Sequence, residues 1–165
     1  MKIDLLDLIA SHKLDIDIEN EEFASNFVNI EGYKKTKSKD RVLMSTWYDG
    51  YLFSLWVGIN MNRRKKDFKP KEKARTLVSR KQQYFYLISK ILSKKEILIE
   101  LNLESVSAIK ESNVNSKQLA EKLKIICDEF SFGGLEYLKE LYNENEEIFD
   151  DPSFFEEVCK NMGIK

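Results

Sequence analysis

One apolar stretch decides the fold: Thr46-Trp47-Tyr48-Asp49-Gly50-Tyr51-Leu52-Phe53-Ser54-Leu55-Trp56-Val57-Gly58-Ile59-Asn60. Its apolar residues recur at i, i+3, i+4 and i+7, the spacing of one helix face: Leu52, Leu55, Trp56 and Ile59. Tyr51, Phe53 and Val57 fill much of the opposite side, so this helix is apolar nearly all round. Such a helix is typical of the interior of a domain. Thr46 and Asp49 have the spacing of a capping box at its start.

The rest of the chain fits a helical domain around that central helix. With 165 residues, the chain is long enough for one compact domain with a single core. It contains two prolines and six glycines, too few for the frequent turns of a β-sandwich. We therefore predict an all-α, single-domain helical bundle over residues 1–165, in which a buried helix at 46–61 is packed by helices at 78–93, 117–131 and 134–143.

Shorter elements are less strongly patterned. Short helices are predicted at 2–12, 21–28 and 103–111, whereas 14–20 is either extended or a turn. Residues 97–101 fit a strand or a helix, and the lack of a matching strand favours helix. Gly133-Gly134 either ends a helix or lets a neighbour approach closely. Asp151-Pro152 has the form of an N-cap and first turn for a terminal helix.

Charge is distributed very unevenly along the chain. The net charge is −1, from 27 basic and 28 acidic residues, but residues 63–95 hold 13 of the basic and 2 of the acidic ones. Pro70 disfavours a helix here, and we predict a basic loop at about 62–77, of a length that is usually functional or disordered. Two interpretations stand side by side. The basic segment binds nucleic acid, or it pairs with the acidic C-terminal third.

The candidate binding residues for nucleic acid or an acidic partner are basic and fall between positions 63 and 81: Arg63, Arg64, Lys65, Lys66, Lys69, Lys71, Lys73, Arg75, Arg80 and Lys81. Side chains of this kind neutralise phosphates in a salt-dependent way. Phe68, Tyr84 and Tyr86 lie nearby in the sequence as candidates for stacking on bases. Against nucleic-acid binding, the whole protein is slightly acidic.

No pattern in the sequence indicates an enzyme. His12 is the one histidine, and neither a glycine-rich phosphate loop nor a Gly-x-Ser-x-Gly elbow occurs. Asp128-Glu129 is interpreted as the solvated edge of a helix. We therefore predict no catalytic residues, no cofactor and no metal site.

The cysteines indicate a reducing compartment, and the hydropathy bears on whether the chain could cross a membrane. Cys127 and Cys159 lack the spacing of a disulfide framework or a zinc site, and Cys127 is predicted to be a buried free thiol. The longest apolar run, 51–59, is about half a membrane span. We expect a cytoplasmic protein with no membrane partner.

Two stretches resemble the small accessory proteins encoded beside DNA phosphorothioation (Dnd-type) modification and restriction systems in bacteria. One is Tyr48-Asp49-Gly50-Tyr51-Leu52-Phe53-Ser54-Leu55-Trp56-Val57-Gly58 with its basic tail, and the other is Ile126-Cys127-Asp128-Glu129-Phe130-Ser131-Phe132-Gly133-Gly134-Leu135-Glu136-Tyr137-Leu138. The likeness spans roughly residues 46 to 160. Trp56, where a small residue is expected, and the long basic loop depart from the pattern.

The resemblance implies an anti-phage defence or DNA modification-restriction context and no catalytic residues. The leading hypothesis is therefore a non-catalytic accessory or adaptor subunit that acts through protein-protein contacts. Its expected partner is a larger protein of the same system, an ATPase or a nuclease. The alternative is a nucleic-acid-binding module that uses segment 63–81 on DNA.

Overall fold

The computed structural model describes residues 5–28, 43–74, 80–111, 115–149 and 153–164. Its helices are α1 (Leu5–Ala10), α2 (Glu21–Ala24), α3 (Trp47–Met61), α4 (Lys81–Leu92), α5 (Lys95–Glu100), α6 (Ala108–Glu111), α7 (Ser116–Glu144) and α8 (Phe154–Asn161). Two strands, β1 (Leu14–Asp17) and β2 (Pro70–Ala74), form a small antiparallel sheet. Helices dominate the described chain, so the predicted all-α bundle is confirmed.

The core lies between α3 and α7, which form the most extensive contact between any two elements. Glycines let their backbones touch. A Cβ added at Gly58 would lie 1.8 Å from the Phe130 carbonyl oxygen, and one at Gly134 would lie 1.9 Å from that of Ser54. α1 also packs on α7, and α4 packs on α3. The predicted central helix therefore has the predicted place in the fold.

The ends of α3 follow the sequence signals. The Thr46 hydroxyl accepts a hydrogen bond from the Asp49 N–H (3.4 Å) and donates one to the Asp49 carboxylate (2.8 Å). At the other end Asn62 adopts the left-handed conformation, with φ of 50°. An asparagine tolerates this conformation better than most residues. The turn at Asn62 sends the following residues across α7.

Helix α7 shows that the predicted division into two helices is wrong, and it decides between the two interpretations of Gly133-Gly134. It runs unbroken through Gly133-Gly134, so the expected division into helices at 117–131 and 134–143 is wrong. Of the two interpretations of that pair, close approach is right: a Cβ at Gly133 would lie 2.4 Å from the Arg63 carbonyl oxygen. Asn115 caps the helix by accepting from the N–H groups of Lys117 and Gln118.

The small sheet corrects the predicted loop at about 62–77. Within it, Pro70–Ala74 is strand β2, which pairs with β1 so that Ile16 faces Lys71 and Asp17 faces Pro70. Proline is tolerated as the first residue of a strand, where no ladder hydrogen bond is lost. The sequence lacks a strand signal at 70–74 because β2 is short and polar and its partner β1 lies far away in the chain.

The shorter elements differ mainly in their ends. The predicted helices at 2–12 and 21–28 are α1 and α2, both shorter than expected among the described residues. Residues 97–101 fall mostly in helix α5, as favoured, whereas the helix predicted at 103–111 begins only at Ala108. The capping pair Asp151-Pro152 lies outside the described residues.

Among the described residues, no helix combines the length and the apolar character that a membrane span requires.

Candidate functional site

Three of the basic residues that leave α3 are bound to the protein's own carboxylates. We call residues 62–66 the basic strap. Arg63 pairs with Glu140 at 2.6 Å, and its guanidinium lies 5.2 Å from the centre of the Tyr137 ring. Arg64 bridges α5 and α7 through Glu100, at 2.7 Å, and Glu129. Both side chains therefore hold the strap on α7.

Lys65 is the most enclosed member of the basic strap. Its Nζ lies 2.6 Å from the Asp17 carboxylate, 2.8 Å from that of Glu136 and 3.0 Å from that of Glu19. The Asp17 side chain is fully buried, and the Lys65 side chain is 11% exposed. The Lys65 N–H also donates to the Glu129 carbonyl oxygen, at 2.9 Å. Lys65 thus joins α3 and α7 to the end of β1.

The pKa values in this region follow from these contacts. Partial burial lowers the pKa of Lys65, but hydrogen bonds to its three carboxylates outweigh that effect and raise it overall. The hydrogen bond from Arg64 lowers the pKa of Glu100 below its ordinary value. Lys65 and Glu100 are therefore held in their charged forms at neutral pH by these contacts.

Three further candidate residues also make ion pairs. Lys71 pairs with Glu21 and Arg80 with Asp49, both at 3.0 Å, and Lys81 pairs with Asp7. Arg63, Arg64 and Lys65 thus pair with the acidic C-terminal third, as one of the two interpretations predicted. Lys65, Lys71, Arg80 and Lys81 also pair with the N-terminal third.

The remaining candidates are not brought into one site. Lys66 and Lys69 have exposed side chains and make no ion pair within the part of the chain that the structure describes. Nothing is described of the Lys73 side chain or of Arg75. Phe68 packs against Phe132 with ring centres 4.8 Å apart, and Tyr84 is buried. Of the three aromatics considered for stacking on bases, Tyr86 is the exposed one.

A groove of about 590 Å³ lies between α3, α4 and α8. We call it the aromatic groove, and its apolar lining consists chiefly of Leu52, Phe53, Trp56, Tyr86, Leu87 and Phe155. The Phe53 and Trp56 rings stack with centres 5.8 Å apart, and Phe155 meets Phe53 edge-on at 5.3 Å. Tyr86 and Phe155 are 58% and 47% exposed. Large aromatic side chains left open to solvent in one concave surface are typical of a binding site.

The aromatic groove corrects the sequence interpretation of α3. The helix is apolar all round, but burial covers only part of it: Tyr51, Leu55 and Gly58 are buried, whereas Leu52, Phe53 and Trp56 are partly exposed in the groove. Trp47 is 2% exposed, and its indole N–H donates to the Asp15 carbonyl oxygen at 3.1 Å.

A second polar cluster lies inside the core, where sequence reasoning expected a solvated helix edge at Asp128-Glu129. That expectation is wrong, because both side chains are buried. Asp128 accepts a hydrogen bond from the Tyr51 hydroxyl at 2.7 Å and pairs with Lys124 at 2.6 Å. Burial raises the pKa of Asp128, and the Lys124 charge opposes that rise. The i, i+4 spacing of Lys124 and Asp128 was the available sequence signal.

Cys127 lies beside this cluster. It is a fully buried free thiol, as predicted, and burial raises its pKa to about 12. Burial likewise raises the pKa of Tyr51 and Tyr84 well above the ordinary value for tyrosine. These groups stay protonated at neutral pH. A thiolate nucleophile or a tyrosine base is therefore not available in this cluster.

The described residues contain no group of histidine, cysteine or carboxylate side chains arranged to hold a metal ion. The His12 Nδ1 donates to the Leu8 carbonyl oxygen at 2.8 Å, at the end of α1. Comparison of the chain with protein-family models, with curated proteins and with solved structures gives no match.

Proposed function

We propose that this chain is a non-catalytic adaptor subunit that binds a partner protein through the aromatic groove. The observation that carries the proposal is the set of aromatic side chains left open between α3, α4 and α8. Aromatic residues are enriched in protein interfaces, where they bury a large area with few rotatable bonds. The basic strap supports this assignment indirectly, because the charges of Arg63, Arg64 and Lys65 are engaged in holding the fold together.

The resemblance to Dnd-associated accessory proteins supplies the setting of this proposal. The partner is a larger protein of an anti-phage defence or DNA modification-restriction system, an ATPase or a nuclease, and the complex forms in the cytoplasm. The candidate partners to be tested are the proteins encoded by the genes adjacent to the gene for this chain.

The test is co-purification of the tagged chain with the products of its neighbouring genes. We expect the wild-type chain to retain one larger protein. Phe155→Asp or Tyr86→Asp should lower the amount retained at least tenfold. Ile125→Asp is the matched control, since Ile125 is a 52% exposed apolar residue on α7, outside the groove. Retention by all three variants alike, or no retention by the wild-type chain, contradicts the proposal.

Fluorescence anisotropy with duplex and single-stranded DNA tests the nucleic-acid alternative. Binding at low salt that weakens steeply as salt rises, and that disappears when Arg63, Arg64, Lys65 and Lys66 are replaced, would favour it. We expect no such binding, because the first three of these side chains are paired with carboxylates.

A further inference from the structure

The charge of the aromatic groove restricts what can occupy it. The charged residues in its lining are Asp49 and Arg80, and these two pair with each other at 3.0 Å. The rest of the lining is apolar or carries uncharged polar groups such as Gln82 and Gln83. Lys90 lies beside the groove, with its ammonium 5.2 Å from the centre of the Tyr86 ring, but it is not a lining residue, so the described lining itself holds no unpaired charge.

An occupant that brought a charge into this groove would lose hydration and find no free counter-charge among the described lining residues. Burial of an unpaired charge is costly, whereas burial of apolar surface is favourable by about 25 cal/mol per Å². Electrostatic complementarity therefore favours an occupant face that is apolar and uncharged. Gln82, Gln83 and Tyr86 provide uncharged hydrogen-bonding groups at the edge of the groove.

The openness of the groove argues against a small molecule as the occupant. Small-ligand sites usually enclose most of the ligand, but Tyr86 and Phe155 leave about half of their own surface in solvent here. Apart from Met44, which forms a single β-bridge with Val28, the described apolar lining comes from helices and presents no strand for an extended peptide to pair with. An open apolar trough between helices is the surface that receives an amphipathic helix.

We propose that the aromatic groove binds one helix of the partner protein by an apolar face that carries no charge. This inference rests on the proposed adaptor function and adds the chemistry of the partner's contact surface. Trp56, Phe53 and Phe155 receive the apolar face, which repeats at i, i+3 or i+4 and i+7. The partner's charged residues lie on the opposite face, in solvent.

The experiment is a selection of helical peptides from a display library on the immobilised full-length chain, with the Phe155→Asp variant as decoy. Tyr86→Asp is a second groove variant with a smaller risk to folding, since Tyr86 is the more exposed residue. Ile125→Asp is again the control. Circular dichroism establishes that each variant is folded.

The two tryptophans provide a second, internal readout. In a ¹⁵N–¹H spectrum, a selected peptide should shift the indole N–H signal of Trp56, in the groove. It should leave the indole N–H signal of Trp47 unchanged, since that N–H is buried and donates a hydrogen bond to the Asp15 carbonyl oxygen. A shift of the Trp47 signal alone would place the peptide elsewhere and overturn the inference.

We expect the selected peptides to carry uncharged apolar residues at the repeating positions and to lose at least tenfold in affinity for both groove variants but not for Ile125→Asp. Peptides with charged residues at those positions, or no peptide that distinguishes wild type from the variants, would overturn the inference. So would a wild-type chain that dimerises in sedimentation equilibrium while Tyr86→Asp stays monomeric, because the occupant would then be a second copy. If a neighbouring gene product is still retained through the groove in any of these cases, the helix inference fails while the adaptor function remains supported.

Discussion

Lys65 and Lys66 are neighbours in the same basic run, yet their side chains meet different surroundings. Lys65 is enclosed by three carboxylates, of which that of Asp17 has no exposed surface. Lys66 is exposed and makes no ion pair with the described residues. Position in a charge run therefore says little about the part a single residue plays in the fold.

Lys65→Met should lower the free energy of unfolding by about 3 kcal/mol, because removing one partner of a buried ion pair leaves the other charge unpaired. Lys66→Met is the matched control and should change it by less than about 0.5 kcal/mol, as exposed substitutions usually do. Urea denaturation at neutral pH measures both. Equal effects of the two substitutions would contradict the structural role assigned to Lys65.

Cys127 and Cys159 should differ in reactivity for a physical reason. Thiolates are the reactive form, and burial raises the pKa of Cys127 to about 12, so its thiol is both protonated and inaccessible at neutral pH. Cys159 is partly exposed. We expect iodoacetamide to alkylate Cys159 in the native protein and Cys127 only in denaturant, as read by mass spectrometry of peptides. Native alkylation of Cys127 at a comparable rate would contradict the packing around it.

At the scale of single residues, the sequence predicts the environment of some side chains but not of others. The environment of Cys127 is predictable because Ile126 and Phe130, close to it in the sequence, are apolar. The burial of Asp128 is not, since its counter-charge Lys124 is local but its hydrogen bond comes from Tyr51, which lies 77 residues away. Partners that are distant in the chain leave no local pattern.

At the scale of elements, the crossing of α3 and α7 depends on glycine. Gly58 and Gly134 lie where the two backbones touch, and Ser54 completes the small-residue surface on α3. The sequence indicated close approach as one of two interpretations of Gly133-Gly134, and it could not exclude the helix end. The decision required the partner helix, whose Ser54 and Gly58 give no signal by themselves.

Gly134→Ala should destabilise the protein by about 3 kcal/mol or more, because the new Cβ would lie 1.9 Å from the Ser54 carbonyl oxygen and the backbones would have to separate. This loss would exceed the gain of about 1 kcal/mol that alanine brings to an exposed helix position. Gly50→Ala, whose nearest contacts are side chains of Val28 and Trp47, should cost less. Thermal and urea unfolding of both variants measure the difference. A stabilised Gly134→Ala protein would contradict the close crossing.

At the scale of the whole molecule, the basic middle of the chain is tied to its acidic ends. Described ion pairs reach from the basic segment to α1, the end of β1, α2, α3, α5 and α7. Composition alone predicted the charge asymmetry and its pairing as one interpretation. Pairing with the N-terminal third was not predicted, because it depends on the β1–β2 sheet and on the position of α1.

The buried core makes the stability of the fold depend on pH. Cys127, Tyr51 and Tyr84 all change the free energy of unfolding in the same direction as the pH rises. The pKa of Cys127 is 9.0 in its ordinary state and about 12 in the folded protein, and burial also raises those of Tyr51 and Tyr84. Between the ordinary and the folded pKa, the folded protein holds a proton that the unfolded chain has lost. The stabilisation is therefore complete below about pH 9 and is lost as the pH rises through the folded pKa.

We therefore expect the free energy of unfolding to fall from pH 9 upward, with each such group contributing at most about 1.4 kcal/mol per pH unit. Urea denaturation at pH 7, 9 and 10.5 measures the fall. Cys127→Ala serves as the comparison, because it removes one of the titrating groups and should make the decline shallower between pH 9 and 10.5. A stability that is constant over this range, or that rises with pH, would contradict the protonated core. The raised pKa of Lys65 has the same sign at still higher pH, so the basic strap and the buried cluster should weaken together under alkaline conditions.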